Sequence, residues 1–267
     1  MKIGILAGRV PPPVFINQLV SGLAEAGHKV FLYGSSHDKN FRYNNPLLFV
    51  RTKPQNKIFL LFNSFFLLLK IIIISRRKAF SILSQIKSQD IGVRNFLNRC
   101  NRTLPPFLDD LDIFHIQWAK TLVEYPEFVE GFNCPIVLSL RGTHINVSPV
   151  INEKLAISYR KYFPKLNGFH AVSQSILNEA EKYCADINKV SVIRPAVNEE
   201  LLNYKIDNVK KKLGSETLNI ISVGRCHWIK GYTFALDTMN GLKKQGINFH
   251  YTIIAGGKDQ ENIKYQI

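Results

Sequence analysis

The chain has 267 residues, 46% of them hydrophobic, which excludes a disordered protein and leaves room for one large or two small domains. Lys and Arg outnumber Asp and Glu by 35 to 20; the formal net charge of +15 favours phosphorylated substrates, anionic lipid or nucleic acid as neighbours without choosing among them. Cys100, Cys134, Cys184 and Cys226 are far apart, with no CxxC pair and no histidine at metal-ligand spacing, so they read as reduced core thiols and no metal site is expected.

At the N-terminus the apolar run Ile3 to Ala7 gives way to Arg9 and three prolines, too short for the hydrophobic region of a secretory signal. The expected location is the cytoplasm, peripheral on the inner face of the membrane. Lys2 to Ala7 reads as a buried strand, followed by a proline-rich turn, a helix from Val14 to Ala26 closed by Gly27, and a second strand from His28 to Tyr33. Further strands are expected at Asp112 to Trp118, Pro135 to Leu140, Gly168 to Val172, Val190 to Arg194, Leu218 to Val223 and Phe249 to Ala255, mostly separated by helical patterns. Such alternation predicts an α/β fold in which helices cover both faces of a parallel sheet. In such sheets ligands bind beyond the carboxyl ends of the strands, so the residues that follow each strand are the candidates for chemistry.

Ile58 to Ile74, IFLLFNSFFLLLKIIII, interrupts this rhythm, with Lys53 and Lys57 before it and Arg76, Arg77 and Lys78 after it. Its 17 residues sit at the lower limit for a membrane span, and Asn63 and Lys70 share one helix face. A span would also put strands of one sheet on opposite sides of a bilayer. Two readings remain: an apolar core helix, or an in-plane helix whose apolar face enters lipid while the basic flanks through residue 78 hold anionic headgroups, and the second is slightly favoured.

The sharpest local signal is Ile220-Ile-Ser-Val-Gly-Arg-Cys-His-Trp-Ile-Lys-Gly231. A strand ends, Gly224 turns the chain, and Arg225 and Lys230 flank a short loop before a helix. A planar guanidinium fork, a mobile ammonium and a helix N-terminus suit a diphosphate, while a solvated loop with incidental charges is an equal reading from spacing alone. Gly4 and Gly8 do not complete a G-x-G-x-x-G motif and no P-loop lysine motif occurs, so the ordinary nicotinamide and P-loop sites are poor fits.

This segment resembles the retaining glycosyltransferases of family 4, of GT-B fold, whose signature is glycine-arginine followed five positions later by lysine-glycine. Phe169-His-Ala-Val-Ser-Gln-Ser175 is similar to the family's strand and helix start around a serine, here Ser173, and Val192-Ile-Arg-Pro-Ala-Val-Asn198 to its interdomain segment. Asp112-Ile-Phe-His-Ile-Gln-Trp118 and Leu138-Ser-Leu-Arg-Gly-Thr-His144 are similar to its two acceptor-side strands and loops. The resemblance implies an N-terminal acceptor-side Rossmann-like domain over 1–196, a linker over 197–214, and over 215–267 the beginning of a C-terminal donor-binding Rossmann-like domain. The family's paired glutamates, which hold the ribose and donor sugar, would fall beyond residue 267. The C-terminal domain is therefore expected to be incomplete, and the activity of this polypeptide uncertain.

The implied reaction is transfer of a hexosyl group from a nucleotide-diphosphate sugar, with retention, to a lipid-linked or polysaccharide acceptor, with no cofactor and no metal. Arg225 and Lys230 match the pair that holds the donor diphosphate, and Gly8 is a weaker match to its glycine-rich loop. Where many relatives carry a histidine, a glycine and then an aspartate, this chain has Arg141, Gly142 and His144. Arg141 is a candidate for a phosphate or sugar hydroxyl; His144 is a candidate for acceptor binding or proton transfer, or a loop histidine bonded to backbone. His115, in mid-strand, reads more readily as a satisfied core histidine than as an acceptor contact. Expected partners are a nucleotide sugar, the acceptor, an anionic membrane surface through residues 58–78 and a separate chain supplying the C-terminal half. The alternative is a degenerate transferase that serves as a membrane-surface scaffold. Nucleic acid is not expected, because the basic residues are scattered without a basic helix or an aromatic RNA-binding strand.

Overall fold

Strand β1, Lys2–Val10, sits inside a parallel sheet, and its residues are apolar towards both faces. Ile3, Ile5 and Ala7 pack on one side against Ile16, Val20 and Ala24 of helix α1, Val14–Glu25, while Leu6 joins a larger core on the other side with Phe114, Ile116 and Phe128. Between them Gly4 leaves room for the neighbouring strands' aromatics: a Cβ there would collide with Leu111 and lie 2.9 Å from the Phe114 ring. The computed structural model describes residues 1–38, 40–87, 92–132, 134–196, 203 and 217–267. It divides into two units, Met1–Asn198 and Glu199–Ile267. Apart from Asn203, the linker expected at 197–214 lies outside the described residues.

The first unit continues with β2 (Lys29–Ser36), β3 (Leu48–Thr52), α2 (Lys57–Ile74), α3 (Arg76–Lys87), α4 (Val93–Leu108), β4 (Ile113–Ile116), α5 (Thr121–Glu124) and α6 (Glu127–Gly131). Then follow β5 (Ile136–Leu140), three short helices α7 (Thr143–Asn146), α8 (Ser148–Ile151) and α9 (Glu153–Tyr162), β6 (Gly168–Ala171), α10 (Gln174–Glu181) and β7 (Val190–Val192). All seven strands are parallel, in the order β3-β2-β1-β4-β5-β6-β7. Strand order therefore reverses beside β1, and the crevice between its carboxyl end and that of β4 is the natural ligand position in such a sheet.

Two departures from the sequence pattern matter. β1 runs on through the expected turn, pairing Gly8 with Gly34 and Val10 with Ser36 after a register shift between Leu6 and Gly8. β3, unannounced by its sequence, is an edge strand whose residues are only half-buried or exposed, so its periodicity is weak.

α2 is the one described helix long and apolar enough, by length and composition, to cross a membrane, with a mean hydropathy of 2.3. It lies instead against α4. Leu60, Ser64 and Ile71 are its buried line, and Asn101 of α4 donates to Ser64 Oγ and to the Leu60 carbonyl and accepts from Asn63. The opposite side is bare: Phe59, Phe62, Phe65, Phe66 and Ile73 are between 57% and 80% exposed.

The second unit pairs β8 (Leu218–Arg225) in parallel with β9 (Phe249–Gly256) across helix α11 (Tyr232–Lys244), with α12 (Gln260–Gln266) following. Its small core joins Cys226, Tyr232 and Ile263 with Leu236, Ile253 and Ala255. Ile221, Val223 and Ile254 stand exposed on the other sheet face.

Glu127 gives the first unit a demanding contact. It is fully buried and takes both guanidinium hydrogen bonds of Arg99, at 2.9 and 2.8 Å, while Arg99 and Arg102 lie 4.9 and 4.8 Å from the Tyr125 ring centroid. Removing one partner strands a buried charge, which costs about 3–5 kcal/mol. Glu127→Ala is therefore expected to destabilise the chain by about that amount in urea unfolding, and Glu127→Gln by less, since it keeps an acceptor for Arg99.

Candidate functional site

In the first unit a group of polar and aromatic side chains gathers at the carboxyl ends of β1, β4 and β5. Gly8 adopts φ +83°, a conformation costly for other residues. A side chain there would also stand 3.5 Å from Trp118. The Trp118 indole, just past β4, donates to the Ala7 carbonyl at 2.7 Å, makes an edge contact with Phe15 of α1, and lies 5.3 Å from the His144 ring. Arg141, the residue after β5, lays its guanidinium 4.6 Å from the Phe15 centroid and donates to Gln117 Oε1 at 3.2 Å. Gly8, Arg141 and His144 are thus brought together around a Phe15–Trp118 platform. The placement of Gln117 and Trp118 directly after a strand is the signal that marks them; nothing comparable in the sequence marks Phe15.

Burial lowers the Arg141 pKa to about 10, so it remains a cation at neutral pH, and its Nε, like Gln117 Nε2, is buried without a partner among the described residues. His144 follows Gly142, which has φ +40°. The backbone carbonyl of His144 accepts from the Tyr159 hydroxyl at 3.0 Å, whereas its imidazole Nδ1 is buried with no partner among the described residues. Burial and the nearby Lys120 charge push its pKa down to about 4. The ring is neutral at physiological pH and suited to accepting a hydrogen bond, while the same burial makes it a weak base.

His115 is satisfied within the sheet. His170 Nε2 lies 3.0 Å from the Ile193 carbonyl and must donate to it, which leaves His170 Nδ1 an acceptor 3.1 Å from the Ser139 hydroxyl, whose single proton is shared between that nitrogen and Gln117 Oε1 at 3.4 Å. Ser139 Oγ then accepts from His115 Nε2 at 2.9 Å. The tautomers follow from the one fixed acceptor at Ile193. Burial, with the His170 and Arg141 charges, pushes the His115 pKa down to about 3. Ser173, two residues beyond β6, is the N-cap of α10, its hydroxyl accepting from the Ile176 amide at 3.3 Å.

In the second unit, Arg225 ends β8 and Lys230 ends a single 3-10 turn, Trp228–Lys230. The Lys230 stem folds over Gly224, where a Cβ would lie 3.8 and 3.9 Å from Lys230 Cδ and Cε and 2.9 Å from the Tyr232 hydroxyl. Glycine at 224 thus leaves room for the Tyr232 hydroxyl, while the Lys230 stem lies in ordinary contact with the strand end that carries Arg225. Gly231, at φ +69°, turns directly into α11, whose first amides have no side-chain cap. Both cations are exposed and neither has a carboxylate partner among the described residues. The loop therefore offers two uncompensated cations and free amides, the groups an oxyanion requires.

No protein-family model matches the chain, and no curated protein matches it by sequence. Solved structures do. Sucrose-phosphate synthase from Thermosynechococcus elongatus aligns with 97% of this chain and 63% of its own at 11% identity, with a TM-score of 0.57. A trehalose-6-phosphate synthase, studied for glycosyl transfer with retention, aligns with 100% of this chain and 67% of its own at 12% identity, TM-score 0.56. HepE of Anabaena in complex with UDP-glucose aligns with 100% and 65% at 13% identity, TM-score 0.56. The chain thus spans about two thirds of the length of these proteins. Its two α/β units, each built on a parallel sheet, have the GT-B fold of these glycosyltransferases.

The depressed histidine pKa values fix the sign of an acid response. His144 and His115 stay neutral in the fold to about pH 4 and 3, whereas in the unfolded chain they take up protons near 6.5. Below pH 6.5 the unfolded state therefore binds more protons, and stability falls as pH drops towards 4. Urea midpoints measured from pH 7 to 4.5 are expected to decline, and to decline less steeply in His144→Gln and His115→Asn; equal slopes in all three proteins would contradict these assignments.

Proposed function

We propose that this chain is a retaining glycosyltransferase of family 4 type that moves a hexosyl group from a nucleotide-diphosphate sugar to a lipid-linked or polysaccharide acceptor on the cytoplasmic side of a membrane. The observation that carries the proposal is the Gly224–Gly231 loop, where Lys230 folds over Gly224 beside Arg225 at the end of β8. Likeness of fold to nucleotide-sugar enzymes supports the same reading by analogy.

In this reading the two cations and the α11 amides hold the donor diphosphate. When the bond from the anomeric carbon to the phosphate oxygen breaks, its electron pair passes to the diphosphate, and Arg225 and Lys230 stabilise that growing charge without a metal ion. The acceptor hydroxyl oxygen bonds the anomeric carbon as its proton passes to the departing diphosphate, and neutral His144 is the group assigned to accept a hydrogen bond from that hydroxyl. Arg141, held over the Phe15 ring, is assigned to a sugar hydroxyl or phosphate. Gly8, at φ +83°, is assigned to the close approach of backbone to the donor phosphates beside Trp118.

The proposal is tested by calorimetric titration with UDP, GDP and ADP. At least one nucleoside diphosphate is expected to bind, and Arg225→Ala and Lys230→Ala are each expected to weaken it by roughly 10- to 150-fold, the worth of a charge-assisted hydrogen bond. Arg225→Lys should recover only part of the loss, because an ammonium cannot form the fork. No binding by the unaltered chain at millimolar nucleotide, or binding indifferent to both substitutions, overturns the reading.

A further inference from the structure

We infer that α2 is a membrane-docking helix that lies in the plane of an anionic phospholipid surface. On a helix of 100° per residue, Leu61, Ile72, Phe65, Ile58, Leu69, Phe62, Ile73, Phe66 and Phe59 succeed one another around an arc of roughly 160°. All nine are at least 40% exposed. The arc lies opposite the stripe of Leu60, Ser64 and Ile71 that packs on α4. An apolar face of this size on a helix already held from behind needs an apolar medium.

Charge says which medium. No Asp or Glu occurs between Asp38 and Asp90, a stretch that holds ten Lys and Arg residues. Lys57 opens α2, and Arg76 and Arg77, both exposed, follow its end, with Phe80 78% exposed one turn further on. Aromatic and aliphatic residues on one side and cations at both ends match a bilayer interface rich in anionic headgroups. A protein partner would have to be both apolar and acidic over the full 18 residues.

The structure also decides between lying flat and spanning. β3, before α2, pairs with β2, and β4, after α4, pairs with β1 in the same sheet. The hydrogen bonds from Asn101 to Ser64 and the Leu60 carbonyl fasten the N-terminal half of the helix to that unit. Asn63 and Lys70, at the border between the apolar arc and the packed stripe, line a groove of about 460 Å³ with Arg51, Thr52 and Asn101. With the arc in lipid, that border lies at headgroup depth, and Lys70, which has no acidic partner among the described residues, faces phosphate.

The inference does not require the transferase reading, because vesicle binding and nucleotide binding are separate measurements. The test is sedimentation with phosphatidylcholine vesicles, with and without 30% phosphatidylglycerol. Binding to the anionic vesicles is expected, weakening as salt rises. Phe62→Ser/Phe66→Ser, at exposed positions, is expected to reduce partitioning by a factor on the order of 100 or more, and Arg76→Glu/Arg77→Glu by on the order of 100, with near-UV circular dichroism unchanged. Ile58→Trp and Ile73→Trp, compared by quenching with brominated lipid against the unaltered chain, should report the same depth. A span would separate them by about 22 Å along the bilayer normal. Failure to bind anionic vesicles at low salt, binding indifferent to both double variants, unequal depths, or a dimer that buries the same face in place of lipid would each overturn the inference.

Discussion

β1 has parallel neighbours on both sides, β2 and β4, and this arrangement governs the first unit. Right-handed crossovers send α1 to one face and the α2–α4 excursion back to β4 over the other, so the chain parts at the carboxyl ends of β1 and β4. The residues that line the opening are Gly8, near the carboxyl end of β1, and Gln117 and Trp118, which follow β4. Trp118 closes it by donating to the Ala7 carbonyl, and Arg102 of α4 reaches the Gly8 carbonyl at 3.5 Å. Arg141 and His144 are organised around the platform that results.

Charge is handled in three ways. Arg99 is neutralised inside the fold by Glu127, with both side chains nearly or wholly buried. Arg141 is partly desolvated, bonds Gln117, lies over an aromatic face, and has an Nε without a partner among the described residues. Arg225 and Lys230 are left exposed on a short, glycine-shaped loop. A satisfied cation is structural, whereas an unsatisfied one on a fixed backbone is available to an anion, and the contrast separates these arginines more sharply than residue type does.

α2 shows the same division within one helix. Its packed line is narrow and partly polar, with Ser64 and Asn63 bonded to Asn101, and most of its apolar surface faces outward. Globular packing turns the apolar side of a helix inward, and here the exposed arc has no covering element among the described residues.

The sequence by itself determined the alternation of strands and helices, the buried β1, the apolar α2 and the loop from Gly224 to Gly231, because period and turn chemistry act between near neighbours. The grouping of Arg141 and His144 after one strand was legible for the same reason. Only the tertiary structure decided that β1 extends to Val10 and that β3 joins the sheet, since both depend on a partner strand distant in the chain. It also decided that His115 is tied through Ser139 to His170, that Phe15 carries Arg141, and which side of α2 is buried. Those contacts join residues tens to more than a hundred positions apart. Periodicity in a sequence records which side of an element is apolar, but only the topology brings the partner that covers it.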